Sequence, residues 1–124
     1  MSDPDHEFRL SETVAGTVHV IAVSGQADLH NAPELRGAIA SAIDGGARRL
    51  VIDLTETTFI DSMTLGVLLG GLKRLAPVGG RMAVACPNGH VRRIFEITSL
   101  DQVLDVVDTT ADAISLTSDG QPAA

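Results

Sequence analysis

The residues best suited to chemistry stand together in one short segment, Asp61-Ser62-Met63-Thr64. One carboxylate and two hydroxyls lie here at a predicted helix start, directly after a predicted buried strand. Ligands and partners of open α/β sheets bind at that edge, and a helix N-terminus offers free N–H groups and a positive dipole end. These features favour a phosphoryl group on Ser62. Asp and Ser are also common N-cap residues, so helix capping alone would account for both.

Motifs for catalysis or cofactor binding are absent from the sequence. It has no Gly-x-x-x-x-Gly-Lys-Ser/Thr loop, no Gly-x-Gly-x-x-Gly loop and no Gly-x-Ser-x-Gly elbow. The four histidines lack the spacing of a metal site. Cys86 is the only cysteine, and we expect it to fill the core rather than to sense redox changes. The sequence therefore predicts no enzymatic activity, no metal and no cofactor.

Composition indicates a small protein of the cytoplasm. The 124 residues include 16 acidic and nine basic side chains, for a formal net charge of −7, which argues against general nucleic-acid binding. No run approaches the length of a membrane span, and the first residues have neither the basic nor the apolar region of a signal peptide. We expect cytoplasmic localisation, with no direct contact to nucleic acid or membrane.

The hydropathy pattern alternates short apolar strands with amphipathic helices. Strands are predicted over 7–13, 18–25, 49–55, 81–86 and 103–107, and helices begin near positions 31, 61, 88 and 110. For the first helix, Asn31 is the expected N-cap, and Glu34 completes a capping box. The order ββαβαβαβα indicates an α/β fold, with a mixed and mostly parallel sheet of four to five strands.

The same pattern predicts one domain, over residues 7–116. Residues 1–6 are expected to form a flexible N-terminus, and residues 117–124 a disordered C-terminal tail. Within the second helix, Gly66 and Gly70 form a Gly-x-x-x-Gly pattern. We expect these two glycines to let the helix pack closely against the sheet.

Several segments resemble the anti-sigma factor antagonists, a family of STAS domains. The run TFIDSMTLGVLLGGLKRL (58–75) is similar to the family signature, in which an apolar pair precedes Asp-Ser and Leu-Gly-x-Leu follows. Residues 25–29 resemble the family's Gly-x-x-Asp-hydrophobic turn, residues 32–35 the helix start after it, and residues 48–54 its third strand. With later agreement over 80–84 and 91–101, the resemblance covers residues 8–116 and implies the STAS fold.

The resemblance also implies a phosphorylation switch. Family members bind an anti-sigma factor that is also an ATP-dependent serine kinase, and they thereby release a sigma factor. The kinase phosphorylates the serine that follows Asp in the signature, here Ser62, and a metal-dependent serine phosphatase reverses the reaction. ATP and metal belong to those partners. The residues expected to contact the partner are Asp28, Asn31, Asp61, Ser62, Met63, Thr64 and Leu65.

The sequence leaves the roles of several of these residues open. Asp61 either caps the helix or contacts the partner. Asp28 either serves recognition or forms an ordinary turn before a helix, and an exposed turn Asp is expected to add only about 0.5 kcal/mol to stability. The family usually has Ser or Thr and then Gly where this chain has Met63 and Thr64, which leaves partner choice and phosphorylation rate open. The alternative function is a STAS scaffold or accessory subunit of a transporter or signalling complex, without sigma-factor regulation.

Overall fold

The computed structural model describes residues 7–118, and its elements follow the predicted order. The strands are β1 (Arg9–Ala15), β2 (Val18–Ala27), β3 (Arg49–Ile60), β4 (Arg81–Ala85) and β5 (Asp105–Val107). The helices are α1 (Ala32–Asp44), α2 (Ser62–Leu75), α3 (Gly89–Ile97) and α4 (Thr110–Thr117), with 3₁₀ turns at Ala76–Val78 and Leu100–Gln102.

All five strands form one sheet, in the spatial order β1-β2-β3-β4-β5. β1 and β2 are antiparallel, whereas every other neighbouring pair is parallel. The predicted mixed, mostly parallel sheet is therefore confirmed. Each parallel crossover moves one strand further in the same direction, and such crossovers are right-handed, so α1, α2 and α3 reach the same face of the sheet.

The two faces of the sheet carry separate cores. On one face, α1, α2 and α3 cover alternate strand residues such as Ile21, Leu50 and Val84. On the other face, α4 packs Ala113 against a smaller cluster that includes Val51. Because the helices cover the faces, the carboxyl ends of the parallel strands are left to the connecting turns, where the predicted site residues lie.

β3 is longer than the sequence indicated: it ends at residue 60, whereas the predicted strand ended at residue 55. Its pairing with β2 has two register shifts and then continues to the pair Ala27 and Ile60. The strand was predicted from the apolar run over 49–55, and beyond it the bulges break the regular alternation of buried and exposed side chains, so no strand signal remains there. Thr57 is buried in this added part, and its hydroxyl donates a hydrogen bond to the Val23 carbonyl at 2.7 Å.

Gly66 and Gly70 do not pack α2 against the sheet, so that prediction is wrong. Both are exposed, and an added Cβ would meet no atom within 4 Å at either position. Gly71 permits the close packing instead, because a Cβ there would lie 2.8 Å from Met82 Cε and 2.9 Å from Ile39 Cγ2. The glycine that matters for packing is thus the neighbour that faces the core.

The last helix extends beyond the predicted domain end at residue 116. Thr117 is the final residue of α4, its side chain is buried, and its hydroxyl donates to the Ala113 carbonyl at 2.9 Å. β5 starts at Asp105 rather than at residue 103, because Leu100–Gln102 form a 3₁₀ turn before it. The predicted flexible residues 1–6, and positions 119–124 of the predicted tail, lie outside the described residues.

Candidate functional site

The ends of β2 and β3 bring two of the predicted site segments together. Ala27 and Ile60 are parallel register partners and are the last residues of their strands. Asp28 and Asp61 follow them directly in the sequence. The two carboxylates therefore begin neighbouring turns at one edge of the sheet, and Ser62 lies at the same edge.

Asp28 organises the turn between β2 and α1. Its Oδ1 accepts hydrogen bonds from the His30 N–H at 3.0 Å and from Asn31 Nδ2 at 3.3 Å. Its backbone carbonyl accepts from the N–H groups of Asn31 and Ala32, at 3.0 and 2.8 Å. Since its side chain is half-buried and bonded twice, Asp28 contributes more to stability than the 0.5 kcal/mol or so of an exposed turn residue.

Asn31 does not cap α1 in the predicted way, and the predicted capping box with Glu34 is wrong. The Asn31 backbone is helical (φ −102°, ψ −15°), and its side chain makes no cap hydrogen bond. Pro33, the second helical residue, has no N–H to be capped, and the Glu34 N–H donates to the Asn31 carbonyl instead. The Asn31 side chain donates from Nδ2 to the Gln26 carbonyl at 2.9 Å, which closes the turn after β2.

Asp61 is the N-cap of α2. Its backbone is extended (φ −121°, ψ −179°), and its Oδ1 accepts a hydrogen bond from the Thr64 N–H at 3.0 Å. Of the two roles that the sequence left open for Asp61, the structure shows the capping role. Ser62 is the first helical residue and is exposed. Within residues 7–118 its hydroxyl has no hydrogen-bond partner, so the oxygen faces solvent.

The next three residues divide between surface and core. Met63 is 50% exposed beside Ser62. Thr64 and Leu65 were predicted to contact the partner, but their exposures are only 1% and 4%. The Thr64 hydroxyl donates to the Ala27 carbonyl at 2.8 Å, and Leu65 belongs to the larger core. Their side chains are therefore not surface groups, because the first turn of the helix directs them toward the sheet.

Two exposed apolar side chains near this edge were not predicted. Leu29 is 58% exposed in the turn after β2, and Phe59 is 42% exposed near the end of β3. Leu29 is the apolar member of the Gly-x-x-Asp-hydrophobic turn, so the sequence held a signal for it. For Phe59 the sequence held no such signal, because the bulges in β3 change which face of the sheet each following side chain lies on. Exposed apolar side chains beside a functional edge are typical of protein interfaces.

The loop after β4 is tied to the same part of the sheet through Asn88. Its Oδ1 caps α3 by accepting from the N–H groups of His90 and Val91, at 2.9 and 3.4 Å. Its Nδ2 donates to the Thr57 carbonyl in β3 at 3.4 Å. The sequence predicted a helix start here but not the contact with β3, because a local pattern does not show which strand is adjacent.

The charge of the two turns is negative. Asp28 and Asp61 supply carboxylates, and the sequence has no Lys or Arg between Arg9 and Arg36 or between Arg49 and Lys73. A phosphate on Ser62 would therefore find no Lys or Arg side chain in either turn. Its charge would add to that of the Asp61 carboxylate in the preceding residue.

The described residues offer this exposed hydroxyl but neither a metal cluster nor a reactive thiol. Residues 7–118 contain no group of three or more His, Cys, Asp or Glu side chains that could hold a metal ion. Cys86 is fully buried, and burial raises the pKa of its thiol to about 11, although the nearby Arg92 charge acts in the opposite direction. The thiol is therefore protonated near neutral pH, as expected of a core residue. None of the helices in the same range is long and apolar enough to cross a membrane.

Comparison with known sequences gives consistent matches. The model of the STAS domain family matches residues 10–113. The anti-sigma F factor antagonist of Paenibacillus polymyxa is 30% identical over 99 residues, which cover 79% of this chain and 85% of that protein. A Thermotoga neapolitana protein, named as a homologue of an anti-sigma factor antagonist, is 35% identical over 72 residues, or 58% of this chain, and the match spans 64% of that protein's length.

Solved structures of similar proteins have the same fold as this chain. The crystal structure of an anti-sigma factor antagonist from Mycobacterium paratuberculosis has a TM-score of 0.84 at 29% identity, covering 94% of this chain and 98% of that one. The phosphorylated form of SpoIIAA, a Bacillus cell fate determinant, has a TM-score of 0.66 at 28% identity, covering 88% and 97%. The residues matched by the family model include both turns described above, and the chain belongs to the STAS domain family, in the group of anti-sigma factor antagonists.

Proposed function

We propose that this protein is an anti-sigma factor antagonist that is switched off by phosphorylation of Ser62. In its unphosphorylated form it binds an anti-sigma factor that is also a serine kinase, and a sigma factor is released. Phosphorylation of Ser62 ends this binding, and a serine phosphatase restores it. The cycle takes place in the cytoplasm, and the two partner enzymes bind the ATP and the metal.

The observation that carries this proposal is the position of Ser62. Asp61 already caps α2, so the Ser62 side chain is not needed for that task. The Ser62 hydroxyl is exposed at the sheet edge where α/β proteins bind their partners. An exposed hydroxyl with no structural task at a binding edge is well suited to modification. The solved phosphorylated form of SpoIIAA supports a switch of this kind in the family.

A phosphate on Ser62 would change the charge of this edge strongly. It adds about −1.5 to −2 charges at neutral pH, directly after the Asp61 carboxylate. One N–H group of the first helical turn is already satisfied, since Asp61 accepts from the Thr64 N–H. Neither turn supplies a Lys or Arg side chain to pair with the added charge, and burying such a charge against the partner is costly.

The partner surface combines acidic and exposed apolar side chains around Ser62. It comprises Asp28, Leu29, Asn31, Phe59, Asp61, Ser62 and Met63. Apolar side chains supply buried area at the centre of an interface, whereas charges at its rim select the partner. The matching face of the kinase should therefore be apolar at its centre, with Lys or Arg side chains at its rim.

The test is phosphorylation by the anti-sigma serine kinases of the source organism, with ATP, read by intact mass and peptide mapping. We expect one added phosphate on the wild-type chain, at Ser62, and none on Ser62→Ala. Ser115→Ala is the matched control, because Ser115 is an exposed helical serine on α4. A phosphate at another residue would contradict the switch. Stable kinase binding without phosphorylation or sigma-factor release would favour the STAS scaffold function instead.

A further inference from the structure

We propose that Thr64 is a positioning residue whose buried hydroxyl holds Ser62 at a fixed place relative to Asp28 for the partner kinase. This inference rests on the proposed function, because it concerns how the same surface is presented. Thr64 itself is not the acceptor, since a side chain that is only 1% exposed cannot enter a kinase active site. Thr64 acts through buried hydrogen bonds that lie beneath the partner surface.

Three contacts join Thr64 to the two strand ends. Its hydroxyl donates to the Ala27 carbonyl at 2.8 Å and also lies 3.1 Å from Asp61 Oδ1. Its N–H donates to the same Asp61 oxygen at 3.0 Å. A hydroxyl has one proton, and the shorter contact is to the carbonyl, so the bond to Ala27 is the main one. The Thr64 side chain thus connects the end of β2 with the N-cap of α2.

This connection acts where the sheet no longer holds the two turns together. Ala27 and Ile60 form the last register pair, and the chain leaves each strand beyond them. Within residues 7–118, the Thr64 hydroxyl makes the only side-chain hydrogen bond between the end of β2 and the first turn of α2. Ala27 is followed by Asp28, whose own hydrogen bonds fix its turn as a unit. A bond to Ala27 therefore fixes that whole turn relative to Ser62.

Thr64 stands where the family pattern usually has glycine. Glycine has no hydroxyl and gives the backbone of the first helical turn more freedom. Threonine is β-branched, so few side-chain rotamers are open to it, and here the hydroxyl has a buried acceptor. The Thr64 side chain can therefore hold the two turns in one relative position.

A partner that contacts both turns binds best when their relative position is fixed before it arrives. Without the hydroxyl, the start of α2 moves relative to the Asp28 turn, and fewer molecules have the binding geometry at any moment. The loss corresponds to one neutral hydrogen bond, so KM for this chain as a kinase substrate should rise about fivefold. kcat should change little, because Ser62 and its hydroxyl are unaltered once the complex has formed.

The experiment compares Thr64→Val and Thr64→Ser with Thr57→Val, using the cognate kinase and ATP. Thr57 is a close control, because it is also 1% exposed and its hydroxyl donates to the Val23 carbonyl at 2.7 Å, at a point before the last register pair of β2 and β3. Both valine variants lose one buried hydroxyl-to-carbonyl hydrogen bond and should lower the unfolding free energy alike. Only Thr64→Val should raise the KM of the kinase for this chain. Thr64→Ser keeps a hydroxyl at this position and should have the wild-type KM.

An unchanged KM for Thr64→Val, or an equal rise for Thr57→Val, would overturn the positioning role while leaving Ser62 as the acceptor. If no kinase phosphorylates the wild-type chain, the proposed function fails first and the inference fails with it. Should Thr64→Val not fold, Thr64→Ala takes its place under the same KM criterion, since alanine also removes the hydroxyl and does not add the backbone freedom of glycine.

Discussion

Ala27 and Ile60 face each other as the last register partners of β2 and β3. This pairing decides which residues share the candidate site, because Asp28 and Asp61 are the next residues along each strand. A slip of one residue would turn every side chain of one strand to the other face. The apolar residues of both strands hold the register, so the core determines the geometry of the surface.

The Asp28 turn should contribute measurably to stability. Asp28→Ala removes two side-chain hydrogen bonds from a half-buried turn, so the unfolding free energy should fall by about 1–2 kcal/mol. Urea titration measures the change. Glu96→Ala is the control, because Glu96 is an exposed α3 residue and should shift stability by less than about 0.5 kcal/mol. Equal values for the two variants would show that the turn does not depend on Asp28.

Two variants of Asp61 separate the stability that comes from helix capping from the kinase affinity that comes from the carboxylate charge. Asp61→Ala loses the bond from the Thr64 N–H and should destabilise the protein by about 1 kcal/mol. Asp61→Asn keeps a capping oxygen and should be almost as stable as wild type, but it should bind the kinase less tightly if the carboxylate faces a basic rim. Thermal unfolding and binding of both variants decide this. A loss of stability in Asp61→Asn equal to that in Asp61→Ala would contradict the capping role.

Much of the fold was predictable because its signals are local. The apolar strands and the helix between Ser62 and Pro77 follow from hydropathy, and parallel strands separated by helices fix the order of the sheet. The end of β3 was missed because two register shifts break its alternation. The role of Asn31 was predicted wrongly because its side-chain amide donates to the Gln26 carbonyl, five residues earlier, and does not cap the N–H groups of α1.

The location of the candidate site was predictable from the sequence, but the burial of its individual side chains was not. The sequence placed Ser62 and Thr64 at one helix start, yet it did not show that the first is exposed and the second buried. That difference depends on how α2 sits on the sheet, which is a long-range property. The Thr64 bond to Ala27 joins residues 37 positions apart, and no local pattern predicts such a contact.

The glycines of α2 should respond in opposite ways to alanine. Gly70→Ala should raise the unfolding free energy by about 0.5–1 kcal/mol, because its Cβ enters open space on a helix interior. Gly71→Ala should lower it by about 1–3 kcal/mol, because its Cβ would crowd Ile39 Cγ2 in the core, although the end of the Met82 side chain can move. Denaturant titration of the two variants measures both signs. A gain in stability for Gly71→Ala would contradict the packing of α2.

Cys86 should make stability depend on alkaline pH. Its pKa in the folded protein is raised from the ordinary 9.0 to about 11, so the unfolded state loses this proton at lower pH than the folded state. The stabilising contribution is complete below pH 9 and is lost as the pH rises toward 11. Urea titrations at a series of alkaline pH values should therefore show a shallower decline for Cys86→Ala than for wild type. Parallel declines would mean that the thiol is not buried.

Ser62 should be dispensable for folding. Ser62→Ala should leave the unfolding free energy within about 0.5 kcal/mol of wild type, because alanine is the better helix former and Asp61 keeps the cap. Ser62→Asp should be equally stable or gain about 0.3–1 kcal/mol from the helix dipole. Thermal unfolding checks both values. A large loss in Ser62→Ala would show that the hydroxyl has a structural task.

The most direct measurement of the switch is the affinity of one anti-sigma kinase for this chain before and after stoichiometric phosphorylation. A phosphate at Ser62 should weaken binding by more than about tenfold, since a doubly charged group must then lose its water next to the exposed apolar side chains of the interface. Ser62→Ala, treated identically with kinase and ATP, should keep the affinity of the unphosphorylated chain. Equal affinities for the phosphorylated and unphosphorylated wild-type chain, with the phosphate mapped to Ser62, would contradict the switch.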